Sequence, residues 1–227
     1  MILSSVLPLI LAAFGDENSI EHGFDFRIGY DPIAVGENVG AKASGASTDG
    51  GISVSVGPNL WIPVQGDWAV DASLLANWEM FSVDHRVFNG TKTQEFSLFT
   101  VGLQACAGYL VIDGLSAKLG YELDIPVGGS VDVASPGKSQ SFDVVWAPGI
   151  ITDYDEKNEK PLISTNNLIA GLSYQFRDDL QVTLQGKFAI NGILPYYDAT
   201  SLDGANNAAE NIKLHQVQMG VSYRFRV

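Results

Sequence analysis

The chain has 227 residues, 46% of them hydrophobic and only 17% charged, so it buries enough apolar surface to offset the entropy of ordering and is not a disordered segment. Thirteen Lys and Arg against 26 Asp and Glu give a formal charge of −13, the wrong sign for a nucleic-acid binder that tracks phosphates. A single cysteine, Cys106, and three histidines exclude an internal disulfide and leave too few ligands for a thiolate zinc centre, and no cofactor is expected.

Residues 1–14, MILSSVLPLILAAF, form an apolar stretch shorter than the roughly 20 residues that a helix needs to span a bilayer. Its length suits the h-region of a secretory signal. Ala12, Ala13 and Gly15 supply small residues near a cleavage point, so residues 1–15 are read as a signal peptide and 20–227 as one domain.

Beyond residue 20 the pattern is alternation, apolar on one parity and polar or tiny on the other, which is how a strand with two unlike faces reads. The first strand sets Phe24, Phe26, Ile28 and Tyr30 against Asp25, Arg27, Gly29 and Asp31. The second sets Ile52, Val54, Val56, Leu60 and Ile62 against Ser53, Ser55, Gly57 and Asn59, and the third alternates Trp68 to Met80 with Ala69 to Glu79. The fourth, from about 93 to 111, carries Phe99, Val101, Leu103 and Tyr109 against Thr100, Gly102, Gln104 and Cys106; Asp113-Gly114 then turns the chain into a fifth. That strand opposes Leu119, Tyr121 and Leu123 to Lys118, Glu122 and Asp124. Three more follow, through Leu168–Phe176, Val182–Ile190 and Gln216–Phe225.

Eight strands result, and their connections alternate: long (33 to 51), short (63 to 66), long (82 to 92), short (112 to 115), very long (128 to 165), short (177 to 180) and long (192 to 212). Tight turns at one rim and long loops at the other describe a transmembrane barrel with turns in the periplasm and loops outside. Residues 139–147 alternate as a strand would, but a ninth span would leave the carboxyl end at the loop rim. They are therefore read as a hairpin arm with 127–134 around Ser135-Pro136-Gly137, projecting beyond the membrane.

The polar set decides which face points in. It mixes glycines with Asp25, Arg27, Asp71, Glu79, Lys118, Glu122, Asp124, Lys187 and Arg224, and small residues beside long charged ones of both signs suit a narrow lumen, with the apolar set facing lipid. Trp68 and Trp78 lie ten residues apart on one parity, as do Phe99 and Tyr109. Ten residues at about 3.3 Å each, tilted by about 40°, rise roughly 25 Å, the height between aromatic girdles. Because the first and last strands must meet, Asp25 and Arg224 are expected to pair.

The last strand contains Gln218-Met219-Gly220-Val221-Ser222-Tyr223-Arg224-Phe225, which resembles the carboxyl-terminal signal of bacterial outer-membrane barrels, polar-x-Gly-x-x-aromatic-x-aromatic. The resemblance implies that Gln218, Gly220, Tyr223 and Phe225 are read by the barrel-assembly machinery; Arg226 and Val227 follow the motif. In architecture the chain resembles the small eight-stranded outer-membrane proteins of the OmpA transmembrane-domain, OmpX and OmpW type. The fold class expected is thus all-β, an eight-stranded antiparallel up-and-down transmembrane barrel in the outer membrane, contacting outer-membrane lipid and lipopolysaccharide.

An eight-stranded barrel is just wide enough for its own side chains, so a broad channel is not expected. The expected role is structural or surface-interactive and non-enzymatic, carried by extracellular loops whose partner the sequence does not name. Those loops hold acids at 37, 49, 84, 132, 143, 153, 155, 156, 159, 198, 203 and 210. Asp153, Asp155, Glu156 and Glu159 are hard ligands for Ca²⁺ or Mg²⁺, but the run does not follow the EF-hand pattern, and no metal is assigned to what reads as a solvated acidic loop. Two alternatives stand beside the main reading. One is a narrow conduit for small solutes, which OmpW-like proteins resemble; the other is a lipid-A-modifying enzyme using His85 or His215, with His22 at the periplasmic rim.

Overall fold

The computed structural model describes residues 20–31, 34–36, 47–64, 66–87, 90–146, 158–193 and 211–225. Their strands are β1 (Glu21–Asp31), β2 (Ala34–Gly36), β3 (Ser47–Pro63), β4 (Trp68–Val87), β5 (Gly90–Ile112), β6 (Leu115–Ser135), β7 (Lys138–Trp146), β8 (Glu159–Leu162), β9 (Thr165–Arg177), β10 (Leu180–Ala189), β11 (Asn211–Lys213) and β12 (Gln216–Phe225). The expected signal peptide lies outside the described residues.

Eight of these strands close a ring. Antiparallel pairing runs β1-β3-β4-β5-β6-β9-β10-β12 and returns to β1 through Phe24↔Tyr223 and Phe26↔Val221. Closure leaves the spanning part without an open edge, a condition for holding a sheet in hydrocarbon where no water satisfies bare N–H and C=O groups. The expected tight turns are present at one rim. At Asp113-Gly114 the glycine takes φ +75°, a value that costs a side-chain-bearing residue energy; at Asp178-Asp179 the Asp179 carbonyl accepts a 2.8 Å hydrogen bond from Arg224 N–H.

The face assignment holds. Leu103 and Val221 are 48% and 42% exposed on the outside of the ring, whereas Lys118 and Arg224 are only 6% and 5% exposed inside it. Trp68 pairs with Tyr109 and Trp78 with Phe99 across β4 and β5, and the Trp68 and Tyr109 rings lie 4.9 Å apart. The two girdle levels thus run directly across neighbouring strands. An apolar belt bounded by aromatic rings, on a closed barrel with tight turns at one rim, is the outer-membrane type of transmembrane barrel.

Two expectations about connections need correction. The segment 82–92 is mostly strand and not a long loop: β4 runs on to Val87 and β5 begins at Gly90, as paired strands of 20 and 23 residues. A span takes roughly 9–11 residues, so about half of each strand stands beyond the membrane. The span from 128 to 165 likewise contains the rest of β6, then β7 and β8. The projecting hairpin arm is present, with Ser135↔Lys138 at its turn and Ser130↔Asp143 at its base. β8 joins β7 in parallel, so the protrusion is a sheet on one side of the barrel.

Where β6 leaves the wall it is bulged. Phe99 pairs with Gly128 but Thr100 with Pro126, leaving Val127 unpaired. Gly129 takes φ +136°, and a Cβ there would lie 2.1 Å from the Ser97 carbonyl oxygen. The bulge moves the inward parity of β6 from even residues (Glu122, Asp124) to odd ones (Val131).

Candidate functional site: the lumen and its outer mouth

Every residue expected in the luminal charge set is buried within the barrel: Asp25, Arg27, Asp71, Glu79, Lys118, Glu122, Asp124, Lys187 and Arg224 are all at or below 6% exposure. Alternation on five different strands, β1, β4, β6, β10 and β12, brings them together. Gly220 makes room on β12, since a Cβ there would lie 2.7 Å from Arg27 Cγ.

The network is arranged in tiers. At the periplasmic end Arg224 Nη1 meets Glu21 Oε2 at 3.2 Å, and its guanidinium lies 4.2 Å from the centroid of the Trp61 ring. Above it, Lys118 pairs with Asp71 and donates to Gln181 Oε1 at 3.4 Å. Arg27 Nη2 pairs with Asp25 Oδ2 at 2.6 Å and its Nη1 donates to Gln104. Asp25 also accepts from Asn59 (2.7 Å), Ser73 (2.9 Å) and Ser222. In the outermost tier Lys187 Nζ faces three carboxylates, Asp124 at 2.5 Å, Glu122 at 2.9 Å and Glu79 at 3.6 Å. Gln216 donates to Glu79 at 2.8 Å, and a ladder of amides continues through Gln218 and Gln185. Each ion is thereby given partners, which buried charge requires.

The expected Asp25–Arg224 pair does not form. The β1–β12 register sets Asp25 opposite Ser222 and Arg224 opposite Gly23. Arg224 thus sits one step nearer the periplasm and takes Glu21, while Arg27, two residues along the same strand, takes Asp25. Trp61, inward on β3, was absent from the expected set although it shares the parity of Ser55, Gly57 and Asn59.

A second feature follows from carrying the inward parity beyond the charges. Phe81 and Val83 on β4, Phe96 and Leu98 on β5, Val131 on β6, Val144 on β7, Leu162 on β8, and Ile193 and Leu214 form one buried apolar cluster. The Phe81 and Phe96 rings stack at 4.6 Å. These residues lie on the loop side of Glu79, Thr100 and Asp124 and pack an apolar plug against the β4–β8 side of the outer mouth. The signal for this plug was a switch in chemistry, without a switch in period, at Phe81 and Leu98.

The residues expected to form the assembly signal divide between the two faces. Gln218 and Gly220 face inward, whereas Tyr223 and Phe225 lie in the lipid-facing belt with ring centroids 5.0 Å apart. His215, at the outer rim before β12 begins, accepts a 3.2 Å hydrogen bond at Nδ1 from the Ala189 N–H. Burial, with Lys213 nearby, lowers its pKa from the ordinary imidazole value, consistent with a neutral ring acting as acceptor. The backbone of His85 pairs with Lys92, and that of His22 with Phe225 at the turn rim. Of the proposed loop ligands, Glu159 begins β8; Asp153, Asp155 and Glu156 lie outside the described residues.

No protein-family model matches the chain, and no curated protein matches it. Among solved structures it is similar to Ail, the attachment invasion locus protein of Yersinia pestis, in complex with the heparin analogue sucrose octasulfate, at 12% identity and TM-score 0.45, over 91% of this chain and 99% of that one. It is similar to Neisserial surface protein A at 11% identity and TM-score 0.44, over 91% and 99%. With OprG from Pseudomonas aeruginosa the values are 13% and 0.42, over 92% and 95%. At such identities and scores the assignment rests on the closed pairing ring and the chemistry of its two faces. On those grounds the chain is a small eight-stranded β-barrel of the outer-membrane type.

Proposed function

We propose that this barrel is a non-conducting, non-enzymatic outer-membrane protein whose role is an interaction at the cell surface, carried by the sheet that stands beyond the membrane. The observation that carries this reading is the filling of the lumen, with tiers of paired charge below and an apolar plug above. Conduction needs sites that ions enter and leave readily, and a dry constriction opposes their passage. The doubled length of β4 and β5 and the β6–β7 arm supply an extended outer surface for contact.

The narrow-conduit reading is disfavoured by the plug, and the lipid-A enzyme reading by the use of His215 Nδ1 as a backbone acceptor. For insertion, Gln218, Gly220, Tyr223 and Phe225 serve in this proposal as the signal for the assembly machinery, with lipid and lipopolysaccharide around the belt. Planar-bilayer recording of the purified, folded chain tests the main reading. It expects no discrete openings; stepwise currents from the wild-type chain would overturn it.

A further inference from the structure

Above the outer girdle the lipid-facing wall is cut by a groove. Its lining includes Tyr30 on β1, Ile52 on β3, Met80 on β4, Ser97 and Glu95 on β5 and Asp132 on β6, around a space of about 530 Å³, within the size range of ligand sites. Met80 pairs with Ser97 one step beyond the Trp78–Phe99 pair, two residues or about 7 Å along the strands. Trp78 Nε1 donates to Ser97 Oγ at 3.3 Å, so the polar edge of this girdle indole points at the groove, as it does where hydrocarbon gives way to headgroups. The groove therefore lies at headgroup height and is continuous with the belt below it through Ile52 and Met80, 50% and 36% exposed. Tyr30 stands at one end. A Cβ on Gly50, which takes φ +81°, would lie 2.6 Å from the Tyr30 hydroxyl, and the missing side chain leaves the recess open.

The other end is acidic. Glu95 and Asp132 are direct partners across β5 and β6 and both are exposed; among the described residues neither has an ion-pair or hydrogen-bond partner. Like charges directly opposite on neighbouring strands destabilise a sheet. Ser82 flanks the pair on β4 and Ser141 on β7, so the row adds hydroxyls and no cation. Asp143, opposite Ser130, places a third exposed carboxylate on the same face. Such a face repels the phosphates of an anionic headgroup and is complementary to a cation.

We propose that this groove binds an outer-leaflet lipid whose headgroup carries a primary ammonium. Three N–H donors on one compact charge let it answer both Glu95 and Asp132, while the rest of the lipid runs over Met80 and Ile52 into the belt. A quaternary ammonium has the charge but no N–H to donate. Continuity with the lipid-facing belt favours a lipid over a basic polypeptide arriving from water. The inference rests on the outward face of β3 to β6 and is independent of whether the lumen conducts.

The test titrates the full folded chain, in a non-ionic detergent, with phosphatidylethanolamine, phosphatidylcholine or phosphatidylglycerol of matched acyl chains, and counts bound lipid by native mass spectrometry. One phosphatidylethanolamine per chain is expected at a concentration where the other two are not retained. Glu95→Gln combined with Asp132→Asn weakens that binding about fivefold, the loss expected for two exposed ion pairs; removing like charges from exposed positions does not threaten the fold. Ser97→Phe, which fills the groove and keeps both carboxylates, weakens it as well. Asp67→Asn combined with Asp113→Asn, exposed at the turn rim, leaves it unchanged. Equal retention of phosphatidylcholine or phosphatidylglycerol overturns the proposal, as does wild-type affinity in either groove variant or a loss in the turn-rim variant. Displacement of the lipid by an equal concentration of free ethanolamine, or of a lysine peptide, also overturns it and assigns the carboxylates to a soluble amine or a protein partner.

Discussion

Arg224 is held between a ring and a carboxylate: its guanidinium lies 4.2 Å from the Trp61 centroid, and Glu21 closes on it at 3.2 Å. Because Glu21 and Trp61 are register partners on β1 and β3, this one side chain of β12 reaches across the seam where the first and last barrel strands meet.

Replacing Trp61 by Leu keeps apolar volume but removes the ring face. A desolvated cation–π contact is worth about 2 kcal/mol, so Trp61→Leu is expected to lower barrel stability by about that amount. Urea unfolding in lipid vesicles, followed by the heat-modifiable gel shift, measures it. A loss below about 0.5 kcal/mol, the low end for exposed contacts, would show that the stack contributes nothing at the seam.

Lys187 invites the opposite experiment. Taking away one partner of a buried ion set leaves uncompensated charge and costs about 3–5 kcal/mol. Lys187→Met strands three carboxylates and is expected to fold poorly, whereas Lys187→Met combined with Glu122→Gln loses less than the sum of the two single changes, since the residues share one network. Strict additivity in refolding yield and unfolding free energy would mean that the 2.9 Å Lys187–Glu122 contact has no energetic content.

The bulge on β6 offers a test of the plug. Gly129→Val puts a branched side chain at φ +136° against the Ser97 carbonyl, at a backbone cost of about 1–3 kcal/mol. The damage is expected at the outer mouth, where Val131 enters the apolar cluster, and not at the turn rim. Limited proteolysis then cuts within the β6–β7 arm while the spanning barrel keeps its heat-modifiable mobility. A variant as resistant as the wild type would show that β6 reaches the plug without the bulge.

How much of this was legible beforehand depended on which physical rule governed each feature. Period-two alternation recorded the two faces, because hydrocarbon on one side and a packed lumen on the other select opposite chemistries at successive residues; Phe24 to Tyr30 and Val217 to Phe225 could not be misread. The β6–β7 arm was legible because its turn residues interrupt two alternating runs. The Asp25–Arg224 pairing failed because alternation fixes a face and not a stagger: sliding β12 by two residues preserves every face yet exchanges Arg224 for Ser222 opposite Asp25. Phe81 and Val83 were read as loop edge and loop, and Phe96 and Leu98, within the fourth strand, were not assigned to the inner face, because the same inward parity changes from polar to apolar outside the membrane.

Cys106 supplies a native probe of the face assignment. It lies on β5 with Asp71 opposite on β4 and Gly120 opposite on β6, and it is 3% exposed. A luminal thiol enclosed by packed side chains reacts neither with a charged maleimide from water nor with an apolar maleimide dissolved in the bilayer. Leu103, three residues earlier and 48% exposed, points the other way, so Leu103→Cys in a Cys106→Ser background is expected to label only from the bilayer. Denaturation makes both thiols reactive to both reagents, which controls for intrinsic reactivity. Rapid labelling of Cys106 from the bilayer in the folded chain would reverse the two faces of β5 and, through its register with β4 and β6, those of the whole wall.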